Sequence, residues 1–110
     1  MPIFALLVEY RGDPPPDELL EAHRNWLFPK FEQGQFILSG GLEAIPGRPP
    51  SALAIVHADS LAAAEALVAG DPFIEAGACA HQVVPFTPRV RATDIDAFFD
   101  SDTKAIQRTR

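Results

Sequence analysis

The sequence predicts an α+β protein of the ferredoxin-like class, in which four antiparallel strands form one sheet and two main helices cover one of its faces. Two observations predict this fold. Short apolar runs alternate with helical patterns in the order β-α-β-β-α-β. The chain has 110 residues, of which 47% are hydrophobic and 22% charged, an ordinary composition for one globular domain.

The first strand is predicted over residues 3–10, IFALLVEY, which are almost continuously apolar and therefore typical of a strand covered on both faces. Glu9 and Tyr10 end this strand and are interpreted as facing solvent. A helix is predicted to follow and to end at Gly34. Its first turn carries Asp17 and Glu18, which suit the positive end of the helix dipole.

Pro29 lies inside this helix and removes the hydrogen bond to the Asn25 carbonyl, so we expect a kink or a break near Asn25. The second strand is predicted over residues 35–41 and the third over residues 51–58. The segment between them contains three prolines and a glycine and is predicted to be a loop.

The second main helix is predicted over residues 60–69, because Asp59 or Ser60 can cap its start and Gly70 can end it. A helical turn is expected at residues 72–76. The alanine-rich helix and this turn are therefore adjacent in the chain, with the carboxylate of Asp71 between them.

The fourth strand is predicted over residues 79–86, with Pro85 placing its end at a sheet edge or a bulge. Residues 1–88 then make up the ferredoxin-like domain. Residues 89–110 form a polar C-terminal extension, in which a short helix is expected at about 92–99.

The charge and the cysteine content exclude several classes of function. A net charge of −6 argues against nucleic-acid binding, which needs a basic excess. The apolar start of the chain is too short for a membrane span and lacks a basic leader region. Cys79 is the only cysteine and is expected to be a buried, inert thiol. We therefore expect a cytoplasmic protein.

His23 lies in the middle of the apolar stripe of the first helix, four residues after Leu19 and three before Trp26. At about 100° per residue, this position points toward the sheet. Burial disfavours the imidazolium ion, and the ring needs a hydrogen-bond partner. The position suits a core histidine bonded to a backbone carbonyl as well as a functional histidine.

Asp71 precedes Pro72, and aspartate at the N-cap with proline at the first helical position is a common helix start. The same carboxylate can also accept an N–H from a histidine, so the two roles are compatible. Ser39, Gly40 and Gly41 end the second strand, where glycine permits a close backbone approach or a positive φ. Ser39 is interpreted first as a turn residue and second as a residue at the mouth of a pocket.

A metal site would have to use His57 and His81 together with Asp71 or Glu75. Their spacing matches no known metal motif, so we expect no metal. The chain also has no phosphate-binding loop, nucleophile elbow or dinucleotide fingerprint, so we expect no cofactor.

Four motifs, in their order and spacing, resemble the YciI-like (YCII-related) family over residues 1 to about 88: H-x-x-W-L, G-x-F-I-L-S-G-G-L, G-D-P-F-I-E-A-G and H-x-V-V-P-F. The resemblance implies a dimeric α/β barrel built from ferredoxin-like protomers. It also implies a His–Asp pair in a pocket, which by position is His23 and Asp71. The family is similar to muconolactone isomerases, and one relative is a dehydrochlorinase acting on a hydroxyquinol.

The first hypothesis is therefore a cofactor-independent isomerase or lyase, in which Asp71 orients His23 and the histidine moves a proton on a small cyclic or lactone-like substrate. The expected pocket combines a strand end and two aromatic rings: Ser39, Gly40, Trp26 and Phe73. The alternative is a non-catalytic module that binds a small ligand or another protein, in which Leu19, Leu27 and Phe73 seal a structural pair. A weaker alternative is a cofactor-free monooxygenase of the same architecture.

Two helices can cover only one face of a four-stranded sheet, so the other, apolar face needs a different partner. We expect a homodimer in which this face is buried sheet against sheet. The face should carry alternate residues of IFALLV in the first strand and of ALAIV in the third.

Overall fold

The computed structural model describes residues 2–11, 15–48, 51–99 and 101–109. Its strands are β1 (Ile3–Tyr10), β2 (Phe36–Leu42), β3 (Ser51–His57) and β4 (Cys79–Phe86). Its α-helices are α1 (Asp17–Glu32), α2 (Leu61–Val68) and α3 (Pro72–Glu75), and a short 3₁₀ helix spans Ile95–Phe98. Within these residues, no helix is long and apolar enough to cross a membrane.

The four strands form a single sheet in the order β2-β3-β1-β4, and every neighbouring pair is antiparallel. This order confirms the predicted ferredoxin-like α+β fold. β1 lies at the centre and pairs along its length with β3 on one side and β4 on the other. β2 lies at an edge and carries a register shift between Phe36 and Leu38.

The helices cover one face of the sheet, and the core lies between the helices and this face. Phe4 and Leu6 of β1 and Val56 of β3 are buried there. They pack with further buried residues of the strands and helices: Leu27, Phe36, Ala54, Ala64 and Val68. Side chains of a strand alternate between faces, so the intervening residues of β1 lie on the opposite face.

That opposite face is apolar. In β1 it carries Ala5 and Leu7, which pair with Ile55 and Leu53 of β3, as the alternation predicted. Leu7 is 41% exposed, and the apolar side chains of β4 on this face are also exposed. The protomer therefore leaves an apolar sheet surface uncovered.

α1 runs from Asp17 to Glu32 with Pro29 inside it, so a break near Asn25 is wrong, whereas a kink there stays a prediction. Proline in this position removes one hydrogen bond, and Asn25 lies on the exposed side of the helix. The helix ends shortly before Gly34, whose φ of 76° reverses the chain into β2.

Candidate functional site

The centre of the candidate site is a contact between α1 and the start of α3. His23 Nδ1 lies 2.8 Å from Asp71 Oδ1, which is within hydrogen-bond distance. The same Oδ1 accepts the Phe73 backbone N–H at 3.0 Å and so caps α3. Both roles considered for Asp71 are therefore present, and one oxygen atom performs both.

The hydrogen bond assigns the proton on the histidine ring. An ionised carboxylate can only accept, so a neutral ring in this contact carries its proton on Nδ1 and keeps a lone pair on Nε2. Among the described residues, His23 makes no second hydrogen bond. The ring also stacks on Phe73, with centroids 4.3 Å apart and planes inclined by 21°. The carboxylate and the phenyl ring together fix the orientation of the imidazole.

The pair opens onto a cavity of about 260 Å³ on the helix-covered side of the sheet. Asp71 is buried, with 4% of its surface exposed, whereas the His23 side chain is 25% exposed. Most of the residues predicted to form the site line this cavity: His23, Ser39, Gly40, Asp71 and Phe73. The histidine is therefore accessible from the cavity while its partner is shielded from water.

Trp26, predicted as a pocket wall, does not line this cavity. Its ring packs edge-on against Phe36 at 5.5 Å. The indole also lies close to Gly70: a Cβ added to Gly70 would lie only 3.1 Å from the indole Nε1. Trp26 therefore supports the helix packing beside His23, whose ring lies 6.3 Å away.

Ser39, Gly40 and Gly41 lie within β2, which continues to Leu42, so the interpretation of Ser39 as a turn residue is wrong. Pairing with β3 continues through these residues and keeps them extended. Neither glycine has a positive φ, and a Cβ at either would meet nothing within 4 Å. The fold does not need glycine here, and the missing side chains leave open space beside the cavity.

Tyr10 also lines the cavity, which corrects its interpretation as a solvent-facing residue. Its ring meets Phe73 edge-on at 5.8 Å. The alternation of side chains along β1 predicts that Tyr10 faces the cavity, because Tyr10 lies on the same face of the strand as Leu6 and Val8. Burial, followed by the neighbouring Cys79 and Asp71, raises the pKa of the Tyr10 hydroxyl above its ordinary value of 10.0.

Cys79 is a buried free thiol, as expected. Burial and the charge of Asp71 raise its pKa above the ordinary value of 9.0, while Arg11 acts in the opposite direction. A thiol that stays protonated is a poor nucleophile, so Cys79 belongs to the packing around the site.

These two pKa shifts predict that the protein loses stability in alkali. Folded Cys79 and Tyr10 keep protons that the unfolded chain releases, so the free energy of unfolding should fall as the pH rises from about 8 to about 10.5. Urea unfolding at several pH values measures this fall. It should be shallower in Cys79→Ala and in Tyr10→Phe, and the same slope in all three proteins would contradict the assignment.

The structure does not gather the histidines of the chain into a metal site. In the described parts of the chain, no three His, Cys, Asp or Glu side chains are grouped as metal ligands. His81 is exposed, and the cavity at His23 includes neither His81 nor His57.

Comparison with known proteins identifies the family of this chain and a solved structure with a similar fold. A family model described as the YCII-related domain matches residues 3–87. No curated protein matches the sequence. Among solved structures, the chain is similar to the 5-chloro-2-hydroxyhydroquinone dehydrochlorinase of Burkholderia phenoliruptrix in complex with 2,5-dihydroxybenzoquinone. The TM-score is 0.53 and the identity 20%, over 84% of this chain and 97% of that chain. At this identity the likeness establishes the fold.

Proposed function

The chain belongs to the YCII-related family, and we propose that it is a cofactor-independent enzyme in which His23 moves a proton on a small cyclic or lactone-like substrate. The observation that carries the proposal is access. His23 is bonded to Asp71 and still lines a cavity open to a ligand. A structural pair would be sealed by Leu19, Leu27 and Phe73; only Phe73 lines this cavity, and it leaves the ring 25% exposed.

In this proposal Asp71 is the orienting residue and His23 the base. The carboxylate holds the Nδ1–H tautomer, so that the Nε2 lone pair can accept a proton from the substrate. The resulting imidazolium is stabilised by the same carboxylate. The ring can then return the proton to another atom of the substrate. General acid–base catalysis of this kind contributes about 10²–10⁴-fold to a rate.

Two hydroxyl groups in the cavity wall suit the oxygen atoms of such a substrate. Ser39 and Tyr10 both line the cavity that contains His23. The raised pKa of Tyr10 keeps its hydroxyl protonated in neutral solution, so it can donate a hydrogen bond to a developing oxyanion. We assign to these two residues the stabilisation of charge that forms as the substrate loses a proton.

The chemistry includes two reaction types that need neither an oxidant nor a metal. In an isomerisation, the proton leaves one carbon and returns to another while the double bond moves. In a dehydrochlorination, the base removes a proton from the substrate. The electron pair of the broken bond to hydrogen forms a new double bond, and chloride leaves with the electron pair of the C–Cl bond, so that HCl is lost. The dehydrochlorinase with the similar fold acts on a chlorinated hydroxyhydroquinone, and such compounds are therefore the first substrates to test.

Chloride release and deuterium uptake test the proposal directly. The protein is incubated in D₂O with 5-chloro-2-hydroxyhydroquinone and, separately, with muconolactone. We expect chloride release from the first substrate or deuterium incorporation at carbon in either, at a rate above that of buffer alone. Rates equal to the buffer control for both compounds would contradict the proposal for these substrate classes.

We further propose that the active protein is a homodimer that buries the apolar sheet surface opposite the helices. Leu7 is 41% exposed at the centre of the sheet and pairs with Leu53. Packing this surface against a second copy removes apolar area from water, at about 25 cal/mol per Å². Among the described residues, no other element of the protomer covers the exposed β1 and β4 side chains.

Leu7→Glu is expected to weaken the dimer by about tenfold or more, because a carboxylate would have to be buried in an apolar interface. Sedimentation velocity at micromolar concentrations measures the change. Glu21→Ala is the matched control, since Glu21 lies on the exposed side of α1. A compact monomer in the wild-type protein, or a dimer unaffected by Leu7→Glu, would contradict this interface.

A further inference from the structure

A second and larger cavity, which we call the extension cleft, lies beside the candidate site. Its volume is about 750 Å³, and it is bounded by the second half of α1, by β2 and by the C-terminal extension. Aromatic and aliphatic side chains form most of its lining: Phe28, Phe31, Ile37, Leu38, Phe99 and Ile106. The outer wall comes from residues that lie beyond the matched family domain, which ends at residue 87.

The outer wall of the extension cleft is attached to the end of α1. The Thr109 backbone N–H and side-chain hydroxyl both donate to the Glu32 carbonyl, at 2.9 and 3.1 Å. This carbonyl lies in the last turn of α1, where no helical partner remains for it. Lys104 Nζ lies 5.0 Å from the centre of the Phe28 ring, a favourable cation–π distance. The wall is therefore held to the second half of α1 by specific contacts at Glu32 and Phe28.

The extension cleft adjoins the cavity of the His–Asp pair at β2. Ser39 lines both spaces. Phe99 of the extension lines the cleft and also a small groove over Gly40 and Gly41, which includes Leu53 and Ile55 on the sheet face opposite the helices. Side chains at these glycines would meet no neighbouring atom. Ser39, on the edge strand β2, is therefore the point at which the cleft and the cavity of His23 adjoin.

Charge defines which ligand suits the cleft. Asp96 and Asp102 lie in its lining, and Lys104, the one cation among the lining residues that the structure describes, lies against Phe28. A negatively charged substituent would lie close to the Asp96 carboxylate, whereas an uncharged apolar group would replace water on aromatic and aliphatic surface. The lining thus favours an alkyl or aryl group without charge.

We propose that the extension cleft is a second compartment of the substrate site, which binds an uncharged alkyl or aryl substituent of a substrate whose ring lies beside His23. Phe99 determines how well this substituent is bound. The inference rests on the proposed function for the position of the ring and adds the substrate class: a small hydroxylated ring that carries an apolar side chain.

Resorcinol and 4-hexylresorcinol are a matched pair of probes, since they differ only in the alkyl chain. Isothermal titration calorimetry on the full chain should give 4-hexylresorcinol a Kd at least about tenfold lower than that of resorcinol. Phe99→Ala should reduce this ratio by about threefold or more and leave the Kd of resorcinol unchanged. The control is Phe98→Ala, because Phe98 is 75% exposed and does not line the cleft. Equal ratios in wild type and Phe99→Ala would overturn the inference.

A second measurement separates this inference from the proposed function. Hexanol has no ring, and its binding is followed by the NMR methyl shifts of Ile37 and Ile106, both in the cleft. We expect saturable shifts in wild type and in Phe98→Ala, and weaker binding in Phe99→Ala. Absence of shifts in wild type overturns the compartment. Hexanol binding without resorcinol binding upholds the compartment and counts against the ring site at His23.

Discussion

His23→Gln is expected to lower kcat by about 10²–10⁴-fold on any substrate that the chloride or deuterium assay identifies. Glutamine has a similar length and can still donate an N–H to Asp71, so the packing around the carboxylate is kept. Its amide does not accept a proton in neutral solution and so cannot replace the base. We expect KM to change little, because the proton transfer takes place after the substrate has bound.

His81→Gln is the matched control for this experiment. His81 is exposed on β4 and does not line the cavity of the His–Asp pair. Its replacement should leave both kcat and KM at the wild-type values. Wild-type turnover in His23→Gln, with unfolding curves that show a folded protein, would make the pair structural and favour the binding module.

Asp71→Ala is expected to lower the free energy of unfolding by about 1–3.5 kcal/mol, the largest stability effect that we predict. Two donors share one buried oxygen: His23 Nδ1 at 2.8 Å and the Phe73 N–H at 3.0 Å. Loss of the helix cap costs about 0.5–2 kcal/mol. Loss of the partly buried hydrogen bond from His23 costs about 0.5–1.5 kcal/mol more. Urea unfolding near neutral pH measures the sum.

Asp71→Asn separates the hydrogen bonds from the charge. The amide oxygen of asparagine can accept the same two N–H groups, and asparagine caps helices about as well as aspartate. The loss of stability should therefore be less than half of that in Asp71→Ala, whereas turnover should still fall because the imidazolium loses its carboxylate partner. Equal losses of stability in the two variants would show that the charge of Asp71 dominates its role in the fold.

Local patterns in the sequence were sufficient to predict the secondary structure and its order. The apolar runs predicted β1 and β4 to the residue, because Pro2 and Gly12 lie close to the ends of β1 and Gly77 and Pro88 close to those of β4. Ser60 and Asp71 cap α2 and α3 with their side chains, as the capping patterns predicted. The alternation of side chains in β1 and β3 predicted the apolar face opposite the helices. Two helices can cover only one face of a four-stranded sheet, so this second face was expected to lack helices.

The contact between His23 and Asp71 joins residues that are 48 positions apart in the sequence, and no local sequence pattern predicts a contact over that separation. The periodicity of α1 placed the histidine toward the sheet, and the capping pattern placed the carboxylate at the start of α3. Their pairing was predicted from the family resemblance. Only the packing of α1 against α3 brings the two side chains to one point.

The tertiary structure alone decided what surrounds the pair. Trp26 shares the apolar stripe of α1 with His23, yet it packs against Phe36 and leaves the cavity to Tyr10. The register of β2 with β3 decides that the glycines of β2 leave open space instead of forming a turn. The C-terminal extension is polar and lacks periodicity, and its position depends on a backbone acceptor at the end of α1. These features depend on which elements meet in space, and hydrophobic periodicity specifies only which face of an element is buried.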